Sequence, residues 1–230
     1  MTKPRLSRAD WITAALGALA TGGVTAVAVD PIANALGVTR GSFYWHFENR
    51  ADLLRAALDW WEHEGTTSVI ERVEHITDPH ERLRTLFFVA LSEDPTEGLE
   101  PALVAHADDP IVAPVLNRVT ARRIDFLTQA YTDAGLPPER ARLQAVVTYS
   151  AYVGWTELRR ATPDAAPETV DDPVALRYLI DTMVNAARAE PPGRTPPGSP
   201  EAPAAPPPPP AHHTAPQQPD TRQRPPKPSR

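Results

Sequence analysis

From Thr39 to Arg50 the sequence packs Thr39, Arg40, Gly41, Ser42, Tyr44, Trp45, His46 and Arg50 into one short span. Guanidinium groups, hydroxyls and hydrogen-bonding aromatics at this density suit phosphate oxygens and the base edges of duplex DNA. At helical spacing, Phe43 and Phe47 fall on one side, and Arg40, Ser42, Tyr44, Trp45 and His46 are left on the other. Each outward residue has two readings. Tyr44 and Trp45 either contact DNA or pack against the following helix, and His46 either meets a phosphate or is a neutral surface imidazole.

Two short helices joined by a tight turn are needed to present such a face. Residues 28–47 hold the required types at the required offsets. Ala33 is small where the second helix crosses the first, and Gly37 stands where a left-handed C′ residue is needed. Val38 fills the corner, and Thr39 is placed to N-cap the third helix through its hydroxyl. Ile32 and Leu36 point inward with Phe43 and Phe47. Ser7 with Asp10 predicts a capping-box start for a first helix that Gly22-Gly23 end, and Asn49 with Asp52 predicts the start of a fourth. Asp30 with Pro31 is expected to open the second helix.

Apolar periodicity beyond Gly65 predicts helices near 79–92, 98–107, 111–134, 138–161 and 172–189. The breaks fall at Asp78-Pro79, Asp94-Pro95, Asp109-Pro110, Gly135–Pro138 and Pro163–Pro167. The fold class is all-α with about nine helices. A three-helix helix-turn-helix domain over 5–65 precedes a helical regulatory and dimerisation domain over 66–190. More than half of the 28 prolines follow Glu190, so 191–230 reads as a disordered Pro/Ala-rich tail.

Charge is uneven. Residues 1–50 carry five Lys/Arg against three acids, 51–190 carry 13 against 24, and the tail five against two, within a net −6. A mildly basic head on an acidic body fits a chain that offers only its N-terminal face to phosphates. The lack of cysteine excludes disulfides, thiolate metal sites and a cysteine nucleophile. No apolar run reaches the roughly 20 residues that span a bilayer, and no signal peptide is evident, so a cytoplasmic location is expected. No HxxxH or HExxH spacing occurs; His106-Ala-Asp-Asp109 reads as a polar loop before a helix, and neither metal nor cofactor is expected.

From Arg8 to Leu54 the chain resembles the TetR N-terminal domain without a gap. The resemblance rests on Ala15, Gly23, Ile32-Ala33, Gly37-Val38-Thr39, Gly41, Phe43-Tyr44 and His46-Phe47, and on Tyr-Trp-His followed by Asn-Arg-Ala-Asp-Leu-Leu. It implies that Thr39, Arg40, Gly41 and Trp45 approach base edges while Tyr44 and His46 contact phosphates. Arg50 stands where that family usually places a phosphate-binding Lys, and Ala28 replaces a Thr that often caps the second helix.

A lone helix-turn-helix reads one half-site, so binding to palindromic operator DNA calls for a homodimer. The last two long helices are the expected interface. One offers Ala141, Ala145, Tyr149, Tyr152 and Thr156; the other offers Val174, Leu176, Leu179, Ile180, Met183, Val184 and Ala187. The first stripe equally suits the subunit's own core. The resemblance further implies a cavity in the body for a small, apolar or aromatic effector. Phe87, Phe88, His106, Ile124, Leu127, Tyr131, Tyr149, Tyr152 and Trp155 are the side chains expected near it. The function expected is a ligand-released repressor. The alternatives are a dimeric DNA-binding protein with no effector, or an enzyme with an accessory helix-turn-helix, for which no catalytic motif is present.

Overall fold

The computed structural model describes residues 6–92, 96, 98–165 and 173–185. These are helical, with no strand among them: α1 (Arg8–Ala26), α2 (Val29–Ala35), α3 (Arg40–Phe43), α4 (Arg50–Glu62), a π turn (His63–Thr67), α5 (Ser68–Val73), α6 (Pro79–Ser92), α7 (Leu99–Val104), α8 (Val112–Asp133), α9 (Pro138–Ala161) and α10 (Pro173–Asn185). The break at Asp94-Pro95, residues 186–189 of the last expected helix with Ala187, and the whole tail lie outside the described residues.

Local chemistry accounts for most boundaries. The Ser7 hydroxyl accepts the Asp10 amide at 3.3 Å, and the Asp10 carboxylate accepts the Ser7 amide at 2.7 Å. Gly23 breaks α1 at φ +67, and the helical turns after it carry the chain to Ala26. Asn49 accepts from the Asp52 amide at 3.0 Å to open α4. The Asp78 carboxylate accepts from the His80 and Glu81 amides at 2.8 and 3.1 Å. Asp109 does the same for Ile111 and Val112 at 2.8 and 3.2 Å, so this acid starts α8.

Three expected details differ. The second helix starts two residues early, with Ala28 rather than Asp30 at the N-cap position, and Ala28 gives no side-chain cap. Asp30 instead turns its carboxylate to Arg40. Thr39 holds the N-cap position of α3, but its hydroxyl caps no amide; the Ser42 amide takes the Thr39 carbonyl at 2.9 Å. The domain boundary expected at residue 65 is not a break in the helical rod. A π turn, one residue wider than an α turn, carries α4 into α5.

Two apolar cores form. The first joins Trp11, Leu19, Ile32, Phe43, Leu54 and Trp61 to Leu99, Leu103, Val112 and Val119. The head core therefore takes in α7 and the start of α8. The second is built by α5, α6, α8, α9 and α10 around Leu83, Phe87, Leu127, Tyr131, Ile180 and Met183. Both ends of α8 are used, one in each core.

Candidate DNA interface and effector cavity

The turn between α2 and α3 is a Schellman closure. The Gly37 amide donates to the Asn34 carbonyl and the Val38 amide to the Ala33 carbonyl, each at 3.0 Å. Gly37 takes φ +66, which costs a residue with a Cβ about 1–2 kcal/mol. Phe43 is fully buried, with Trp11 edge-on at 5.4 Å and Phe47 stacked at 5.5 Å. Those rings fix how α3 rolls, and the roll decides which side chains face outward.

On the outer side Tyr44 is 54% exposed and Trp45 78%. Thr39, Arg40 and Gly41 are exposed, and Ser42, His46 and Arg50 are half-buried. The third helix, expected from Thr39 to about His46, has α-helical geometry over Arg40–Phe43 and turns from Tyr44 to His46. Arg40 donates to the Tyr44 hydroxyl at 3.3–3.4 Å and to the Asp30 carboxylate at 3.2 Å. The cation, phenol and carboxylate thus hold one another in place without DNA. Arg50 is engaged differently. Its Nε donates to the Val27 carbonyl at 2.6 Å and its Nη2 to the Val24 carbonyl, which ties the start of α4 to the end of α1.

In the second core a cavity of about 80 Å³ is lined by Phe87, Leu127, Tyr149 and Tyr152 of the expected set. It is also lined by Gly65, Thr66, Val69, Ile70, Leu86, Val89, Ala90, Leu91, Arg123, Phe126, Thr148 and Met183. The other expected residues lie elsewhere. Phe88 is exposed and faces a surface groove between α6 and α10. The His106 ring packs on Gly23, where a Cβ would stand 2.3 Å from it, and its Nδ1 lies 2.9 Å from the Ala102 carbonyl. It therefore joins α1 to the end of α7. Ile124 and Trp155 pack against the second core outside the cavity lining. Tyr131 is fully buried behind that wall. Its hydroxyl lies 2.7 Å from the Thr148 hydroxyl and donates to the Met183 carbonyl at 3.0 Å.

One polar network beside the cavity was not anticipated. The Arg123 side chain is 12% exposed and that of Glu100 3%, and they pair at 2.5 Å. Arg123 also donates to the Thr66 hydroxyl at 2.8 Å and the Gly65 carbonyl at 2.9 Å, both in the π turn, and its guanidinium lies 5.3 Å from the Trp61 ring centre. The Tyr149 hydroxyl donates to the other Glu100 oxygen at 2.5 Å. Burial works against the Arg123 charge, yet Glu100 holds its pKa above the ordinary value. Burial, then the Glu100 charge, pushes the Tyr149 phenol up to about 12. A Cβ at residue 65 would stand 3.1 Å from an Arg123 nitrogen, so glycine there admits the guanidinium. A sequence signal for Arg123 did exist. It sits in the i, i+4 row Val119–Arg123–Leu127–Tyr131, whose other members are buried.

The stripe expected on α9 faces inward: Ala141 and Ala145 are buried and Tyr149 lines the cavity. Its outer side instead exposes Leu143, Val146, Val147 and Leu158. On α10, Ile180, Met183 and Val184 are buried, Leu176 and Leu179 pack against the same core, and Val174 and Tyr178 are exposed. Close packing assigns the first apolar row of each helix to the subunit's own core.

Among the described residues no helix is long and apolar enough to cross a membrane, and no cluster of three or more metal-type ligands occurs.

Residues 12–57 match the family described as bacterial regulatory proteins, tetR family. The "Probable acrEF/envCD operon repressor" of Escherichia coli (strain K12) is 34% identical over 90 residues, covering 37% of this chain and 39% of that protein. The chain thus spans about two-fifths of that relative's length. A TetR transcriptional regulator from Legionella pneumophila superposes with TM-score 0.63 at 15% identity, over 79% of this chain and 97% of that one. AibR, solved with isovaleryl coenzyme A and operator DNA, does so with TM-score 0.57 at 20% identity, over 77% and 96%. The relatives matched are transcriptional regulators and not enzymes. The helix-turn-helix lies inside the segment that matches the tetR family of bacterial regulatory proteins, and the helical fold of the chain is shared with these regulators along most of its length.

Proposed function

We propose that the chain is a homodimeric repressor that binds a palindromic operator through α3 and is released by a small apolar or aromatic effector. The observation that carries this reading is the outward face of α3. Arg40, Tyr44 and Trp45 project from a helix whose roll is set by buried Phe43 and Phe47. Thr39, Arg40, Gly41 and Trp45 approach base edges; Ser42, Tyr44 and His46 meet the flanking backbone. Arg50 already holds two backbone carbonyls through Nε and Nη2, and keeps its Nη1 hydrogens and the second Nη2 hydrogen for a phosphate.

Dimerisation is supported by the need to span two half-sites about 34–36 Å apart. It is also supported by the exposed apolar row Leu143, Val147 and Leu158 on α9, with exposed Tyr178 on α10. Two such helices from each protomer make an isologous four-helix interface. The effector reading rests on the apolar cavity and on its contact with the π turn. That turn continues α4, whose first turn braces the helix-turn-helix through Arg50. A ligand that favours a wider cavity shifts α4 and with it the spacing of the two recognition helices. Such a shift requires that the ligand bind the two states unequally.

The test is anisotropy titration of the purified chain on a palindrome recovered by in vitro selection, across a salt series. The expected result is one dimer per palindrome, with affinity falling steeply as salt rises. Binding as a monomer to a single half-site, or binding without salt dependence, contradicts the reading.

A further inference from the structure

The cavity wall carries charge, yet every charge on it is already answered. Arg123 gives Nη1 to Glu100, Nε to Thr66 and Nη2 to the Gly65 carbonyl. Glu100 spends its second oxygen on the Tyr149 hydroxyl. Thr148 is bonded to Tyr131 and Gln144, at 2.7 and 3.1 Å. The remainder of the lining is mainly aliphatic and aromatic carbon.

A carboxylate entering this space finds its cation already holding a carboxylate. An ammonium meets that same cation on the lining, while Glu100 lies beside the cavity and already holds the guanidinium. Either one would be buried without a counter-ion, or would have to break an ion pair that is itself out of water, and both are unfavourable. An uncharged ligand meets neither penalty. Resting on the reading of this cavity as the effector site, we infer that the Arg123–Glu100 pair makes it a selector for uncharged aromatic or alkyl compounds, about one ring in size, against anions and cations of the same shape. Glu100 is the determinant. It masks Arg123, and without its charge the same wall becomes an anion site.

A matched set of one-ring probes tests this: toluene, benzoate and benzylammonium, titrated against the full-length protein by ligand-observed NMR, with Ala90→Trp as the variant that fills the cavity. Toluene is expected to bind at least tenfold tighter than either ion and to lose its site in Ala90→Trp. In Glu100→Gln the toluene-to-benzoate preference is expected to fall at least tenfold. If that variant does not fold, the wild-type comparison still decides. Benzoate or benzylammonium binding as tightly as toluene, and still lost in Ala90→Trp, overturns the charge selection while leaving the cavity as the effector site. Binding of no probe, or binding that Ala90→Trp leaves intact, overturns the effector site itself.

Discussion

Two arginine–acid pairs, one in the head and one in the body, are built in opposite ways. Arg40 and Asp30 meet at 3.2 Å with side chains 60% and 61% exposed, held loosely in water. Arg123 and Glu100 meet at 2.5 Å almost out of solvent, tied to the π turn and to Tyr149. An exposed pair is screened and exchanges partners at little cost, which suits a residue proposed to trade a carboxylate for a base edge. A buried pair is costly to open, which suits a rigid wall at the seam between two cores. The same chemistry yields a contact surface in one place and a selector in the other, and the difference is desolvation.

Opening the buried pair should have the largest effect. Glu100→Ala leaves a guanidinium buried without its anion, a loss of roughly 3–5 kcal/mol, read as a lower midpoint in urea denaturation. A loss no larger than that of a surface substitution would place Arg123 in contact with water and remove the contrast. Next comes Gly37→Ala in the head, which forces a Cβ into φ +66 and should cost about 1–2 kcal/mol, with operator binding weakened in proportion as α3 tilts.

The buried network also has a pH signature. The Tyr149 phenol is raised in the folded protein from 10.0 to about 12. A group whose folded pKa is raised contributes stability that is complete below its unfolded value and is lost as pH rises through the folded one. Stability should therefore decline between about pH 10 and 12, and Tyr149→Phe should flatten part of that decline in alkaline denaturation curves. Tyr131, also raised to about 12 by burial, supplies the remainder.

The smallest effect on stability is expected from the exposed pair. Asp30→Asn should leave the melting temperature unchanged. It should tighten DNA binding by roughly a few-fold at low salt, since Arg40 no longer has to leave a carboxylate, and the gain should fade as salt screens it. A melting temperature that drops would mean that Asp30 is structural after all.

The two regions also differ in how much of them could be read from sequence. The head is governed by local rules. Ser7-x-x-Asp10, Asn49-x-x-Asp52 and the Ala33-x₃-Gly37 turn each act within a few residues, so their partners are visible in the sequence itself. The body is governed by which of two apolar rows turns inward. On α9 the row Ala141–Ala145–Tyr149 and the row Leu143–Val147–Leu158 are both plausible cores, and only packing against α8 chooses the first. Arg123 and Glu100 escaped for a related reason. A charge on an amphipathic helix ordinarily marks the wet face, and each of these is dry only because the other, far along the chain, neutralises it. Gly65, at the expected domain boundary, admits Arg123 beside a continuous rod.

The outward face of α3 and of the turn after it is the proposed DNA-reading surface. The direct measurement is operator affinity of Arg40→Ala/Tyr44→Ala, with circular dichroism confirming unchanged helicity. At roughly 1–3 kcal/mol per lost contact, binding should fall at least about thirtyfold while the fold is retained. Undiminished binding by a fully helical double variant would contradict the assignment of α3 as the DNA-reading helix.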